Sequence, residues 1–366
     1  MKFSCFQSDL INSINTVQKA ISNKSNMEVL KGILITVENN KIKLTGNDSN
    51  LSIEVIIEAQ IEQEGVIVLD SKLFCDIIRK LPNATVDFNL NNNFVEIECL
   101  YSKFKLITLN AEEYPKLPTV ENSHSLVVNR EIIKNMIKQT IFSVSTDETR
   151  PILTGSLFEI KDNKASLVSI DGYRLALKSV QIDSDRDSKT VIPGKTLNEL
   201  MKILSNSSEE ELIIKITDKY ISFEIENIKI ISKILEGEFI KYNQIIPTDF
   251  NTEIVINTNE FYNGIERASL MARETKSSII KMSLQDKFIE ITSISEIGSV
   301  IDKVKMKIEG DKFDIGFNPK YLLDVLRVID SEEVVLELSS SLSPCIIKPV
   351  DDNEYIYLVL PVRMSN

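Results

Sequence analysis

The amino-acid sequence repeats one helical pattern three times at nearly equal intervals. The pattern has a basic residue first, an acidic residue four positions later and a second basic residue three positions after that. Its copies begin at Lys72, Lys195 and Lys320, which are 123 and 125 residues apart in a chain of 366. The apolar third, sixth and seventh places form a stripe on one helix face, and the two basic residues point together from another. The chain is therefore expected to fold as three similar parts.

A second helical pattern, an acidic residue followed by two apolar residues and a third apolar residue three positions on, also occurs three times. It begins at Asp9, Glu131 and Glu260. Ser8 and Asn259 stand just before two of these acids, where an N-cap is expected. Between the helices, β-rich runs separated by turn residues predict antiparallel strand pairs. The predicted pairs are 30–37 with 41–45, 85–89 with 94–99, 157–160 with 165–170, 211–216 with 220–225, 278–284 with 287–292, and 333–338 with 345–349.

Each third of the chain thus contains a helix, strands, a second helix and more strands. This order predicts the α+β class, with three similar domains that each pack two helices on antiparallel sheets. The predicted domains are 1–120, 126–248 and 253–366, with linkers near 119–126 and 248–254. The alternative is three unrelated α+β domains, but two independent patterns that share one period argue against it.

Charge is segregated between the predicted helices and the rest of the chain. The net charge is −12, which by itself argues against nucleic acid as a partner. The six predicted helices nevertheless carry 13 basic and 7 acidic residues, whereas the remainder carries 29 basic and 47 acidic residues. A positive helical face on an acidic body can hold phosphates without reading bases. The alternative is an ordinary solvated face with ion pairs along each helix.

The sequence lacks the motifs of common catalytic and metal sites. It contains one histidine, His124, and four scattered cysteines that form no C-x-x-C pair, a usage that fits a reducing cytoplasm. Gly194–Thr196 matches the end of a P-loop, but lysine replaces the glycine that the loop needs five residues earlier. Asp147, Glu148 and Asp171 have no accompanying metal motif. We therefore expect no enzyme, cofactor or metal, and a hidden carboxylate-dependent hydrolase is the alternative.

Two neighbouring segments carry a family resemblance. Arg150–Glu159 reads RPILTGSLFE and Ser169–Ala176 reads SIDGYRLA. They are similar to the L-x-G-x-L-F-E and T-D-G-H/Y-R-L-A segments of the bacterial sliding clamp, the beta subunit of DNA polymerase III, although Ile170 replaces the usual threonine. The resemblance extends along the whole chain. It implies a non-enzymatic processivity factor in the cytoplasm: a head-to-tail homodimeric ring around double-stranded DNA, with helices lining the hole and sheets outside.

The resemblance and the charge pattern predict two sets of surface residues. The candidate DNA-binding residues are Lys24, Lys72, Arg79, Lys134, Lys138, Lys195, Lys202, Arg267, Lys320 and Arg327. The candidate dimer-interface residues, given by the resemblance, are Phe104, Leu106, Arg267, Leu270 and Met271. Phe104 and Leu106 alternate with lysines, as on a strand with one apolar face, and a sheet edge accepts a partner strand.

The resemblance also implies a peptide-binding pocket between the second and third domains. Its candidate residues are Arg150, Leu153, Ile170, Gly172, Tyr173, Arg174, Leu175, Pro247, Asn318, Tyr321, Leu358, Leu360 and Val362. The apolar members would anchor a peptide, Gly172 would allow close backbone approach, and the arginines would orient polar groups. The implied partners are the replicative polymerase alpha subunit, the clamp loader and repair proteins, with no membrane. The main alternative is a peptide-binding scaffold of the same repeat architecture that does not use DNA.

Overall fold

A computed structural model describes residues 1–22, 24–120, 124–274 and 278–364. Residues 121–123 of the first predicted linker and residues 365–366 of the third predicted domain lie outside the described residues. Within the described ranges the chain forms six α-helices, one for each predicted helix. They are α1 (Gln7–Val17), α2 (Ser71–Lys80), α3 (Arg130–Thr140), α4 (Gly194–Asn206), α5 (Thr258–Ala272) and α6 (Pro319–Leu326).

The strands occupy the intervals between the helices, as predicted. Those before residue 120 are β1 (Lys2–Phe6), β2 (Gly32–Glu38), β3 (Lys41–Asn47), β4 (Leu51–Glu58), β5 (Gln60–Gln63), β6 (Gly65–Asp70), β7 (Thr85–Asn91), β8 (Phe94–Cys99) and β9 (Ser102–Ile107). The middle strands are β10 (His124–Asn129), β11 (Gly155–Lys161), β12 (Lys164–Ile170), β13 (Arg174–Gln181), β14 (Ser188–Pro193), β15 (Glu211–Ile216), β16 (Tyr220–Ile225) and β17 (Ile228–Lys233). The last strands are β18 (Thr252–Asn257), β19 (Ile280–Leu284), β20 (Phe288–Ser295), β21 (Gly298–Gly310), β22 (Asp314–Phe317), β23 (Glu333–Leu338), β24 (Cys345–Pro349) and β25 (Tyr355–Val359).

The chain divides into two compact units, one of residues 1–131 with 198–234 and the other of residues 132–197 with 235–366. The first unit holds a sheet ordered β5-β1-β7-β8-β9 and a sheet ordered β10-β15-β16-β17-β4-β3-β2-β6. The second unit holds a sheet ordered β14-β11-β12-β13-β25-β24-β23-β18-β21-β20-β19-β22. The strand pairs in these sheets are antiparallel, so the predicted combination of helices with antiparallel sheets is confirmed.

Two of the sheets run across the boundaries between the thirds of the chain. In the first unit, β17 pairs with β4, and Ile230 lies opposite Ile53. In the second unit, β13 pairs with β25, and Leu175 lies opposite Leu358. These pairings join strands that are more than a hundred residues apart in sequence, which no local pattern could predict.

The N-caps predicted at Ser8 and Asn259 are wrong. Helix α1 follows β1 directly, so Ser8 already lies inside the helix and Phe6 occupies the N-cap without a side-chain bond. Helix α5 begins at Thr258, and its N-cap is Asn257, whose side chain accepts a hydrogen bond from the backbone N–H of Glu260 at 3.0 Å. A strand that runs straight into a helix moves the cap to the last strand residue.

Helices α2 and α5 pack against strands of the unit in which each lies. In the first unit, Phe88 of β7 stacks on Phe3 at 4.5 Å and meets the ring edge of Phe74 from α2 at 6.1 Å. In the second unit, α5 lies so close to β21 that a Cβ at Gly264 would stand 2.7 Å from a methyl carbon of Val304. In the described parts of the chain, no helix is both long and apolar enough to cross a membrane.

Candidate functional site

The candidate DNA-binding residues lie on or next to the helices, and most of them are exposed. The basic residues of the repeated pattern are exposed in all three copies, so the apolar stripe is buried while both cations remain in solvent. Lys24 and Arg267 are also exposed. Lys134 and Lys138 on α3 are half-buried. The helices therefore present cations to solvent as the charge pattern predicts.

Several of these cations have acidic or hydroxyl partners. Arg79 lies 3.4 Å from Asp76, and Lys202 lies 2.8 Å from Glu199. Arg327 donates a hydrogen bond to the Tyr262 hydroxyl at 3.1 Å. Exposed pairs of this kind are weak, so their cations can be drawn to a stronger anion such as phosphate.

Four candidate pocket residues form the buried floor of a region in the second unit. Leu153, Ile170, Leu175 and Leu358 are each at most 4% exposed and belong to one hydrophobic cluster. The pairing of β13 with β25 brings the last two together. Because they are covered, these side chains support the surface and do not form it.

Above this floor, the exposed side chains are aromatic and apolar. Tyr173 is 59% exposed, and its ring stacks on Tyr321 of α6 with the centroids 6.2 Å apart. Leu360 is 37% exposed, and its backbone N–H donates to the carbonyl oxygen of Tyr173 at 2.9 Å. Gly172 has a φ of +96°, and a Cβ there would lie 3.4 Å from the Arg150 guanidinium. Glycine thus permits the left-handed turn, whereas the Arg150 guanidinium stands at an ordinary contact distance.

Arg174 is held by the protein itself. Its side chain is 6% exposed and donates to Asp171 at 2.9 Å, to Asp324 of α6 at 2.7 Å and to the Phe142 carbonyl oxygen at 2.5 Å. Its guanidinium carbon also lies 4.6 Å from the Tyr321 ring centroid. Burial alone would lower the pKa of Arg174, but interactions that include these two carboxylates raise it above its ordinary value. The guanidinium therefore links the turn before β13 to α6 and stays charged.

The remaining candidate pocket residues have smaller roles in this geometry. Asn318 caps α6 by accepting a hydrogen bond from the Lys320 N–H at 3.0 Å. The N–H of Val362 donates to the Gly316 carbonyl oxygen at 2.8 Å, so the segment after β25 lies beside β22. Pro247 is half-buried in the segment before β18. Burial raises the pKa of the Tyr321 hydroxyl, and Asp171 adds to the shift, so this tyrosine stays neutral.

Strand β9 forms a free edge of the five-stranded sheet in the first unit. Phe104 and Leu106 lie opposite Ile97 and Val95 of β8 and share their apolar face. Both are only half-buried, so this face of the edge remains partly open to solvent. Lys103, on the other face, pairs with Glu98 at 2.6 Å.

In the second unit, the candidate interface residues of α5 border the first half of β21. Arg267 forms an ion pair with Asp302, with one N–O distance of 3.0 Å. The sulfur of Met271 lies 3.9 Å from the Ser295 hydroxyl, and Leu270 is 54% exposed. From Gly298 to Lys305, β21 pairs only with β20 among the described strands, so its other edge is free there.

Sequence reasoning missed four residues in the second unit. Ile294, Ile297 and Ile301 are 76%, 74% and 67% exposed around the turn from β20 to β21. Isoleucines bracketing a turn sequence were the signal that could have indicated this patch. Arg273, at the C-terminal end of α5, faces the same groove as Lys320 and Arg327. Arg273 is one of the 13 basic residues of the six predicted helices, but it lies outside the two repeated patterns.

Among the residues that the structure describes, no group of three or more His, Cys, Asp or Glu side chains is placed to hold a metal ion. Asp147, Glu148 and Asp171 were the acids considered for such a site. Asp147 accepts from the Thr149 hydroxyl at 2.7 Å, a bond that lowers its pKa, and Asp171 is paired with Arg174.

Comparison with known proteins identifies the family. Three family profiles match in succession, described as the N-terminal domain of the DNA polymerase III beta subunit (residues 1–118), its central domain (127–241) and its C-terminal domain (243–363). The chain belongs to the bacterial beta sliding clamp family. The Bacillus subtilis beta sliding clamp is 38% identical over 377 residues, which cover 99% of this chain and 100% of the relative. The Staphylococcus epidermidis beta sliding clamp is 38% identical over 375 residues, with 99% of each chain covered.

Solved structures of sliding clamps share the fold. The B. subtilis sliding clamp matches with a TM-score of 0.97 at 38% identity, and the Thermotoga maritima beta subunit matches with 0.93 at 26% identity, each over 100% of both chains. Membership in the sliding clamp family confirms the prediction of a processivity factor and not an enzyme. It also favours this function over the DNA-independent scaffold and the hydrolase.

Proposed function

We propose that this chain is one subunit of a head-to-tail homodimeric ring that encircles duplex DNA and slides along it without reading bases. The observation that carries this proposal is the exposed pair of cations repeated on α2, α4 and α6. Cations at regular spacing on helices suit a regular phosphate backbone, and they hold it through counterion release independently of sequence. The ten candidate DNA-binding residues named above are proposed to supply these contacts.

Ring closure is proposed to use the two free strand edges. β9 of one subunit would lie against the free half of β21 in its partner, with Phe104 and Leu106 facing Leu270, Met271 and the exposed isoleucines around the β20–β21 turn. A sheet edge with open N–H and C=O groups readily accepts a strand. Two copies of this contact related by a twofold axis close the ring. A closed ring stays on DNA by topology, so each phosphate contact can remain weak.

The aromatic surface of the second unit is proposed to take short peptides from partners. Tyr173, Tyr321 and Leu360 would anchor apolar peptide side chains, Gly172 would let the peptide backbone approach, and Arg150 is exposed enough to meet a polar group. The replicative polymerase alpha subunit, the clamp loader and repair proteins are the proposed partners. We further propose three domains, 1–120, 126–248 and 253–366, and a cytoplasmic location beside the chromosome.

Primer extension on a singly primed circular template tests the function. The replicative polymerase and clamp loader of the same organism are supplied with the wild-type protein or with a triple variant, Lys72→Glu, Lys195→Glu and Lys320→Glu. Wild-type protein is expected to lengthen the products, whereas the triple variant is expected to shorten them while remaining a folded dimer. The matched control changes three exposed strand lysines, Lys41, Lys161 and Lys307, to Glu.

The control distinguishes the loss of the helical cations from a change in net charge, because both variants replace three lysines by glutamates. Long products with the control and short products with the helix variant support the proposal. Equal product lengths with the two variants would contradict the assignment of the helices to DNA. Wild-type protein that fails to lengthen products at all would contradict the function itself.

A further inference from the structure

A concave groove with a volume of about 440 Å³ lies in the second unit between the end of α5 and α6. Ser269 and Arg273 line it from α5, and Lys320, Asp324 and Arg327 line it from α6. It thus contains three cations and one carboxylate. Only two of these cations, Lys320 and Arg327, belong to the repeated basic pattern.

Two of the groove cations have no competing partner. Arg273 and Lys320 are exposed, and within the described ranges neither side chain forms a hydrogen bond or an ion pair. The Arg327 side chain donates a hydrogen bond to a neutral group, the Tyr262 hydroxyl, at 3.1 Å. Three cations around one concave surface repel one another, and a multivalent oxyanion relieves this repulsion. The chemistry of the groove therefore fits a phosphate group.

Asp324 connects this groove with the aromatic surface around Tyr173. Its side chain is 19% exposed and accepts a bond from Arg174 at 2.7 Å. On α6 it lies four residues after Lys320 and three before Arg327, the spacings at which side chains of a helix meet. A released Asp324 could therefore turn toward either groove cation and neutralise it. Held by Arg174, it forms no direct ion pair with either cation among the described residues, although its charge contributes, after the Tyr262 hydroxyl, to raising the pKa of Arg327.

We propose that Arg273, Lys320 and Arg327 form a phosphodiester-binding groove, and that Arg174 keeps this groove open to DNA by pairing with Asp324, which therefore does not pair with the groove cations. This inference rests on the proposed function and adds Arg273 to the DNA contacts. Arg174 acts in it as a positioning residue, since its guanidinium contacts Asp171, Asp324 and Phe142 and lines no part of the groove.

The salt dependence of DNA binding measures the number of phosphates contacted. The full-length protein is titrated into a short fluorescein-labelled linear duplex, and anisotropy gives the affinity across a series of salt concentrations. Loss of one phosphate contact reduces the slope of log K against log salt by about 0.9. Arg273→Gln changes both subunits of the homodimer, so it is expected to reduce the slope by about 0.9 if one groove contacts the duplex and by about 1.8 if both do. Lys307→Gln, the same charge loss on β21, is expected to keep the wild-type slope.

The positioning role requires two further variants. Arg174→Gln is expected to lose a similar part of the slope although it does not line the groove, because Asp324 then neutralises a neighbour. Adding Asp324→Asn to Arg174→Gln is expected to restore the slope, which a purely structural defect would not do. Thermal unfolding of each variant is compared with the wild type, and Arg273→Gln, at an exposed site, tests the groove even if Arg174→Gln fails to fold.

Each outcome decides one part of the proposal. A wild-type slope in Arg273→Gln would overturn the groove as a DNA contact. Inorganic phosphate that binds at Arg273 without changing duplex binding would also overturn it, because the groove would then be a site for free phosphate. A wild-type slope in Arg174→Gln, or a reduced slope in Arg174→Gln that added Asp324→Asn does not restore, would overturn the positioning role. Absence of duplex binding by the wild-type protein at low salt would also overturn the groove, whereas the proposed function is contradicted separately, by a wild-type protein that fails to lengthen products in primer extension.

Discussion

Replacing Tyr173 by alanine is expected to weaken peptide binding without destabilising the fold. The side chain is 59% exposed and stacks on Tyr321 at 6.2 Å, so a bound peptide would cover an aromatic surface that folding leaves open. A tyrosine side chain offers about 200 Å² in all, so covering most of the exposed part buries roughly 100 Å². At about 25 cal/mol per Å², this burial contributes about 2 kcal/mol to binding. The dissociation constant Kd is therefore expected to rise about thirtyfold.

Isothermal titration calorimetry measures this effect directly. The titrant is a synthetic peptide covering the clamp-binding segment of the polymerase alpha subunit from the same organism. Tyr101→Ala is the matched control, because Tyr101 is fully exposed in the turn between β8 and β9. The free energy of unfolding of both variants is expected to stay within about 0.5 kcal/mol of the wild type. A Kd for Tyr173→Ala within twofold of the control would refute the assignment of this surface to peptides.

Three further predictions concern packing, assembly and pH. Gly264→Ala is expected to lower the free energy of unfolding by about 1–3 kcal/mol, despite the better helix propensity of alanine, because the new Cβ would stand 2.7 Å from Val304. Leu270→Asp is expected to convert dimers to monomers in light scattering, because it places a charge in the proposed seam. The hydrogen bond from Arg267 lowers the pKa of Asp302 below its ordinary 3.8. A carboxyl whose pKa falls on folding stabilises the protein above its unfolded pKa and loses that effect as pH falls. Arg267→Gln is therefore expected to be less stable than wild type near pH 6, by no more than about 1 kcal/mol, with the difference shrinking below about pH 4.

Controls are available for these predictions. Gly298→Ala adds a methyl group whose nearest neighbour is the Met271 sulfur at 3.7 Å, so its stability should match the wild type. Leu342→Asp charges an exposed leucine outside the proposed seam and should leave the dimer intact. A stable Gly264→Ala variant would contradict the tight α5–β21 packing. A dimeric Leu270→Asp variant would contradict the seam, and a pH-independent difference for Arg267→Gln would contradict the role of Asp302.

The regular elements were predictable because their signals are local and repeated. A helix with Lys72 and Arg79 on one face and Phe74, Ile77 and Ile78 on another has one consistent placement, with its apolar stripe on a sheet. The alternating strands follow from the same burial rule. The N-caps were missed because a polar side chain two residues after the true N-cap gives the same local pattern, and only the strand preceding α5 selects Asn257.

Long-range contacts could not be predicted from these patterns. Nothing local indicates that Leu175 lies opposite Leu358, or that Arg174 reaches Asp324, which follows it by 150 residues. The sequence therefore suggested a peptide-orienting role for Arg174, whereas three hydrogen bonds within the chain already engage its guanidinium. The exposed isoleucines near β21 were missed for a related reason, because an apolar residue in a strand is ordinarily expected to be buried.

The most direct test of the central claim is retention on circular and linearised DNA. The wild-type protein is loaded on a nicked circular duplex by its clamp loader with ATP, the free protein is removed, and half of the sample is cut once with a restriction enzyme. A ring that encircles DNA is expected to stay on the circles and to slide off the linear ends rapidly. Equal loss from circles and linear molecules would contradict encirclement and leave only a protein that binds DNA from one side.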